Sequence, residues 1–138
     1  MTPDWLPSPT PDVNAETRAF WESAAHGVFL LKRCQDCDVV IWYPRELCPE
    51  CGRMNTEWFA ASGRGSIYSY TINHRGEGAY KDASPFVVAY VELEEGPRVL
   101  TNIVDADLNS LAIGDAVEVV FTGAGEGTAL FRFRPVAT

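Results

Sequence analysis

Residues 34–52 read CQDCDVVIWYPRELCPECG and contain all four cysteines of the 138-residue chain. The cysteines form two CxxC pairs, Cys34 with Cys37 and Cys48 with Cys51. Two such pairs a short distance apart supply four thiolates to one tetrahedral metal ion, and Zn²⁺ is the metal that this ligand set indicates. Four thiolates leave no position for water or substrate, so a structural site is favoured over an open catalytic metal or a redox pair. The ligand set alone leaves iron open as the bound metal.

Strand-like segments surround the two cysteine pairs. They lie at residues 28–32, 39–43 and 56–60. With the cysteines they predict a zinc ribbon over residues 28–61. A unit of this size cannot fold on hydrophobic burial alone, so metal binding would supply its stability. Trp42, Tyr43 and Trp58 are expected to form the small core of this ribbon or its contact with the rest of the chain.

Residues 1–27 are predicted to form an extended, proline-rich arm followed by one helix over residues 15–25. Asn14 is the candidate N-cap of this helix, and Asp12 is the alternative. Phe20 and Trp21 give the helix an aromatic pair, and a helix this short needs such a pair to dock on something. The sequence leaves open whether it docks on its own domain or on a partner chain.

After residue 61 the pattern changes to short strands separated by turns. Five strands are predicted, at residues 66–72, 86–93, 98–104, 116–121 and 130–134. A helical turn or short helix is predicted at 108–113, between the third and fourth strands. This order is typical of a five-stranded OB-fold barrel, here over residues 62–138, and a small sandwich is the alternative. The whole chain is therefore predicted to be mainly β, with an N-terminal helix, a zinc ribbon and a C-terminal OB-fold barrel.

Alternation within two of these strands assigns side chains to faces. Tyr68, Tyr70 and Ile72 are predicted to share one face, and the two tyrosines are expected to belong to the core or to a subunit interface. Arg132 and Arg134 oppose two phenylalanines on the last strand, and the arginines are expected to form a solvated row.

Composition and charge narrow the function classes. Hydrophobic content of 46% and charged content of 22% describe a globular chain. The net charge of −8 opposes binding to nucleic acid. No apolar run approaches the roughly 20 residues of a membrane span, and the N-terminus lacks the features of a secretory signal. We therefore expect a cytoplasmic protein whose cysteines bind metal and do not form disulfides.

Several motifs together carry a family resemblance. They are, in chain order, Phe20-Trp21-Glu22, the two cysteine pairs, Tyr68-Ser69-Tyr70-Thr71, the segment PFVVAYVEL at 85–93, Glu95-Gly96-Pro97-Arg98 and Ile113-Gly114-Asp115-Ala116-Val117. The chain resembles the DUF35 family of zinc-ribbon/OB-fold proteins over nearly its whole length.

The resemblance implies a rubredoxin-like ribbon and a non-catalytic accessory subunit. Such a subunit docks on a thiolase-like enzyme that acts on acyl-CoA thioesters, in a heterotetramer. The preferred specific case is steroid side-chain degradation, in which the partner performs a retro-aldol cleavage. Some relatives carry this domain fused to a hydratase module; this sequence begins close to the predicted helix, and whether it is excised from such a fusion stays open.

The longest irregular stretch, residues 73–84, connects the first two barrel strands, where OB-folds present ligand-binding loops. His74, Arg75, Tyr80 and Lys81 are its candidate contacts with substrate or partner. Arg75 and Lys81 are suited to a CoA phosphate, and a solvated mobile loop is the alternative. His74 has no nucleophile or acid partner visible in the sequence, so no catalytic residue is predicted.

Two other functions compete with the accessory subunit. Zinc ribbons and OB-folds both occur in single-stranded nucleic-acid binders, but the acidic charge argues against that function. The second alternative is a stand-alone protein that binds acyl-CoA. Catalysis by this chain alone is not expected, since no nucleophile with its base and no paired carboxylate site is visible.

Overall fold

The computed structural model describes residues 6–136, so the ends of the predicted arm and barrel, 1–5 and 137–138, lie outside the described range. The elements are, in chain order, α1 Arg18–Ala24, β1 Leu30–Cys34, β2 Val40–Ile41, β3 Thr56–Ala60, β4 Arg64–Asn73, β5 Phe86–Leu93, β6 Arg98–Ile103, β7 Ala116–Gly123 and β8 Ala129–Pro135. One sheet has the order β2-β1-β3, and the other five strands close into a barrel with the order β4-β5-β6-β8-β7. The predicted fold class is confirmed.

The helix α1 begins later than predicted because a capped turn precedes it. The side-chain oxygen of Asn14 accepts hydrogen bonds from the backbone N–H groups of Glu16 and Thr17, at 3.0 and 3.1 Å. These bonds satisfy donors that would otherwise lack partners at the start of a helix. Asn14 therefore caps this segment, but the residues directly after it form a turn and α1 starts at Arg18.

The ribbon sheet has β1 as its central strand, paired antiparallel with β2 and β3. β1 begins at Leu30 and not at Val28, where the sequence predicted its start. The Val28 N–H instead donates to the Ser23 carbonyl at 3.0 Å and continues the turn that ends α1. β2 stops before Trp42 and so is shorter than predicted. The chain there turns toward the helix, where the indole N–H of Trp21 donates to the hydroxyl of Tyr43 at 2.9 Å.

An aromatic cluster joins α1, the ribbon and the barrel. Phe20 is fully buried at its centre. Its ring centroid lies 5.4–5.8 Å from the rings of Phe29, Trp42 and Phe131. Trp58 also packs against this core. The helix therefore docks on its own chain, on both the ribbon and strand β8 of the barrel, which answers the question that the sequence left open.

The barrel closes through one parallel contact, between Ile103 of β6 and Phe133 of β8. Its interior is apolar, with Ile67 and Val117 among the residues that are almost fully buried. Residues 108–113 contain turns and no helix. The Asp107 carboxylate accepts a hydrogen bond from the N–H of Asn109 at 3.0 Å, and the Asp115 carboxylate accepts one from the N–H of Ala112 at 2.9 Å. Such side-chain bonds compete with the helical pattern.

A β-bulge at Tyr68 overturns one predicted face. Ile67 and Ser69 pair with successive residues of β5, so Tyr68 between them is an extra residue. A bulge shifts the alternation of side chains by one position. Tyr68 consequently points outward and is 47% exposed. Tyr70 and Ile72 pack against the core, and the prediction that Tyr68 shares their face was wrong.

Arg132 is buried, and the prediction that it belongs to a solvated row was wrong. It is 1% exposed, and its guanidinium donates a hydrogen bond to the carbonyl of Pro7. The physical reason is the N-terminal arm, which passes over the middle of β8 at Pro7 and packs its Leu6, 3% exposed, against Phe86 and Val104. Burial lowers the pKa of the Arg132 guanidinium, and the nearby Tyr80 side chain counteracts part of that shift.

Replacing Arg132 with methionine should release the arm from the barrel. The variant keeps an apolar stem but loses the donor to Pro7, and a hydrogen bond from a charged donor contributes about 1.5–3 kcal/mol. We expect limited proteolysis within residues 6–12 to accelerate about 10-fold or more. The control is Arg134→Met, which breaks the half-exposed ion pair with Glu118 (2.8 Å) and should leave the arm protected. Equal arm protection in wild type and the Arg132 variant would contradict this role.

Candidate functional site

The four cysteines converge on one point of the ribbon. Their sulfur atoms all lie within 4.8 Å of one another. Cys34 Sγ is 3.6 Å from Cys51 Sγ, and Cys37 Sγ is 3.4 Å from Cys48 Sγ. Four sulfurs at a Zn–S distance of about 2.3 Å in a tetrahedron are separated by about 3.8 Å. The set therefore has the dimensions of a single tetrathiolate site.

Each cysteine pair is carried by a tight turn with a left-handed residue. The N–H of Asp38 donates to the Cys34 carbonyl at 2.9 Å, and the N–H of Gly52 donates to the Cys48 carbonyl at 2.8 Å. Asp38 has φ 61° and Gly52 has φ 74°. Aspartate tolerates this region better than most residues, and an ion pair with Arg33 at 3.2 Å holds it. Sequence reasoning missed Asp38, whose only signal is its place directly after the first pair.

The backbone around the second pair favours a thiolate. Burial alone would raise the pKa of the Cys48 thiol. Hydrogen bonds from the N–H groups of Cys51 and Glu50 outweigh that effect and lower the pKa to about 7. The adjacent Cys48 sulfur raises the pKa of Cys37 to about 12. In the absence of a cation, four close sulfurs thus cannot all ionise, and a divalent cation would remove this repulsion.

These observations support a structural zinc. Cys34 and Cys48 are buried beside Ile41, whereas Cys37 and Cys51 lie at the surface. Zinc would join the end of β1 to the loop between β2 and β3. With four sulfur ligands the ion would have no open position for a reactant, so its role would be to cross-link these segments. Within residues 6–136 this is the one group of His, Cys, Asp and Glu side chains close enough to hold a metal ion.

The 73–84 loop forms one wall of a groove on the barrel, and the floor of the groove comes from β5 and β6. The groove has a volume of about 530 Å³, and its walls include Arg75, Gly76 and Tyr80. Of the four residues predicted for this loop, the structure therefore brings Arg75 and Tyr80 to the groove. His74 and Lys81 are exposed and do not line it.

The loop packs against the barrel through Tyr80. A 3₁₀ turn spans Gly78–Tyr80, and the Tyr80 ring centroid lies 5.4 Å from that of Phe86. Gly76 has no room for a side chain, because a Cβ there would lie 2.2 Å from the Tyr80 carbonyl oxygen. Sequence reasoning missed Gly76, since the close approach depends on how the chain turns between residues 76 and 80. It also missed the groove floor, including Leu100.

No helix among residues 6–136 has both the length and the apolar character needed to cross a membrane.

Two family descriptions match consecutive parts of the chain. Residues 21–57 match the family described as "ChsH2, rubredoxin-like zinc ribbon domain", and residues 58–122 match "ChsH2, C-terminal OB-fold domain". A DUF35 domain-containing scaffold protein of Methanothermobacter thermautotrophicus is 43% identical over 110 residues, which are 75% of this chain and 83% of that relative. The chain belongs to the DUF35 family. The resemblance inferred from the motifs is thereby confirmed.

Two other proteins similar to this chain have names that place them in enzymes. A chain of the solved "Ltp2-ChsH2(DUF35) aldolase" superposes with a TM-score of 0.81 at 31% identity, covering 92% of this chain and 99% of that one. The benzoylsuccinyl-CoA thiolase subunit BbsA of Thauera aromatica is 28% identical over 120 residues, 85% of this chain and 81% of the relative. Both similarities extend across the ribbon and the barrel together.

Proposed function

We propose that this DUF35 chain is a non-catalytic scaffold subunit of a thiolase-fold enzyme acting on acyl-CoA thioesters. The match to the DUF35 chain of the Ltp2-ChsH2 aldolase carries the proposal, because it covers nearly the full length of both chains. The similar BbsA chain is itself named as a subunit of a thiolase. By this proposal the partner performs the chemistry, with retro-aldol cleavage of a steroid side chain as the specific case.

In this function Cys34, Cys37, Cys48 and Cys51 bind one structural zinc ion. The close approach of their sulfurs and the stabilised thiolate at Cys48 support this role. The ion holds the ribbon in the shape that packs against α1 and the barrel. Because unprotected thiolates oxidise, the proposal places the protein in the reducing cytoplasm.

The groove beside the 73–84 loop is the part of the chain that we assign to acyl-CoA. Arg75 lines the groove, and Lys81 directly follows Tyr80, which also lines it. We therefore assign both side chains to CoA phosphates at the mouth of the groove. Tyr80 and Phe86 offer an apolar wall to the pantetheine or acyl portion. His74 stands next to Arg75 and contributes a partner contact and not a proton transfer. The complete site forms only with the partner, in a heterotetramer.

The experiment is recovery of the tagged chain from its native host, with identification of the proteins that accompany it. We expect a thiolase-fold subunit in equal amount, and a complex mass equal to two copies of each chain. Recovery of the chain as a free monomer under conditions that preserve other native complexes would contradict the proposed function. Salt-sensitive retention of oligonucleotides would instead favour the nucleic-acid alternative.

A further inference from the structure

The outer surface of the barrel carries an exposed apolar patch on β4, β5 and β6. Tyr68 and Tyr90 are each 47% exposed, and Leu100 is 54% exposed. Tyr90 pairs directly with Leu100 across β5 and β6, and with Ser69 across β4 and β5. Together with Val88, these five residues form what we call the barrel face. Large aromatic and aliphatic side chains grouped on a surface mark sites of protein association.

The barrel face carries no unpaired charge, although the chain as a whole has a net charge of −8. At its edge Arg98 forms an ion pair with Glu92 at 3.0 Å. The guanidinium carbon of Arg98 also lies 3.8 Å from the ring centroid of Tyr68. Arg98 is therefore already engaged by a carboxylate and by an aromatic ring. Among the described residues of the barrel face and of this edge, nucleic-acid phosphates would meet no unpaired cation, whereas an uncharged apolar protein surface would be complementary.

The barrel face is also continuous with the groove. Leu100 and Val88 belong to the face and line the groove as well. A protein seated on the face would therefore extend over Arg75 and Tyr80 and would close the open side of the groove. This continuity connects protein docking to the position that we assign to the acyl-CoA.

We propose that the barrel face is the surface on which the thiolase-fold subunit docks, with Leu100 and Tyr90 as its apolar centre. This inference rests on the proposed function. The partner surface it requires is apolar and uncharged at the centre, with polar groups around the edge. A subunit docked there would lie beside the 73–84 loop. The exposed ribbon residues Leu47 and Met54 remain outside the interface.

Charge insertion on the face tests the proposal with matched controls. Leu100→Glu should weaken binding of the thiolase-fold subunit recovered with the wild-type chain by about 30-fold or more. Met54→Glu and Ile113→Glu introduce the same charge at residues that are 65% and 67% exposed, and each should change the affinity less than about 3-fold. Thermal unfolding of all three variants should match wild type, because none of these side chains is buried.

The salt dependence gives a second, independent measurement. Binding to an uncharged face should vary less than about 3-fold in affinity between low and physiological salt, because few charges are screened. The barrel face is not the docking surface if Leu100→Glu binds the subunit with wild-type affinity. The same conclusion follows if Met54→Glu loses affinity while Leu100→Glu keeps it. Either result leaves the proposed function standing. A wild-type chain that binds no thiolase-fold subunit overturns both. Self-association of the purified chain that Leu100→Glu abolishes assigns the face to a second copy and overturns the proposal.

Discussion

Replacing Cys34 with serine should unfold the ribbon while the barrel stays folded. A structural zinc site contributes about 10–16 kcal/mol to small metal-dependent domains, and loss of one buried thiolate removes much of that energy. The three-stranded ribbon sheet has little core of its own to compensate, with only Cys34, Ile41 and Cys48 buried in its small cluster. The barrel strands close on one another by backbone pairing and supply most of the residues of the large apolar core, so the barrel should survive.

Zinc content and amide exchange together measure this effect. The variant should bind less than one zinc ion per chain at micromolar protein, with protection lost in residues 28–61 and retained in 64–135. Gln35→Ser is the matched control, because it changes an exposed side chain between the same cysteines. A Cys34→Ser protein with one tightly bound zinc and full protection of β1 would show that the ribbon does not depend on this ligand.

Replacing Phe20 with alanine should separate the helix and ribbon from the barrel. Phe20 is 0% exposed and contacts rings from both parts, including Phe29 and Phe131. Removal of a buried phenylalanine side chain costs about 3–5 kcal/mol, most where the neighbours cannot collapse into the cavity. Here the neighbours are large rings from the helix, the ribbon and the barrel, which favours the upper part of that range.

Urea unfolding followed by tryptophan fluorescence measures the loss of stability in Phe20→Ala. Phe59→Ala is the control: Phe59 lies on β3, is only partly buried, and should cost about 1 kcal/mol. A cost below about 1 kcal/mol for Phe20→Ala would mean that the aromatic cluster does not join the ribbon to the barrel.

The sequence allowed prediction of features that depend on local pattern. The two CxxC pairs identify the ribbon because the ligand spacing is itself the structural signal. β3 and β5 were predicted with their observed bounds, since clear turns flank both strands. Arg75 and Tyr80 of the predicted contact loop line the groove, and their contact with substrate or partner stays a prediction.

Features that depend on distant contacts could not be predicted. Alternation along the last strand predicts that Arg132 faces solvent. The arm at Pro7, 125 positions away in the chain, buries it instead. The bulge at Tyr68 adds one residue without a sequence marker such as glycine. The direction of the Tyr68 side chain therefore could not be predicted. No face was predicted for Tyr90 and Leu100, because residues 86–91 read FVVAYV and do not alternate. The sequence also does not indicate that these two residues adjoin each other beside the groove, because that depends on the register between β5 and β6.

Turnover of an acyl-CoA thioester, measured for the purified chain, for the purified thiolase-fold subunit and for their complex, decides whether this protein is a scaffold. The chain alone should give no turnover above the rate without protein, and the complex should exceed the partner alone by at least about 10-fold. Such a gain is about 1.4 kcal/mol in the activation free energy, a modest demand on a subunit that orders its partner's site. Turnover by the chain alone, or equal rates for the partner with and without it, would contradict the scaffold function.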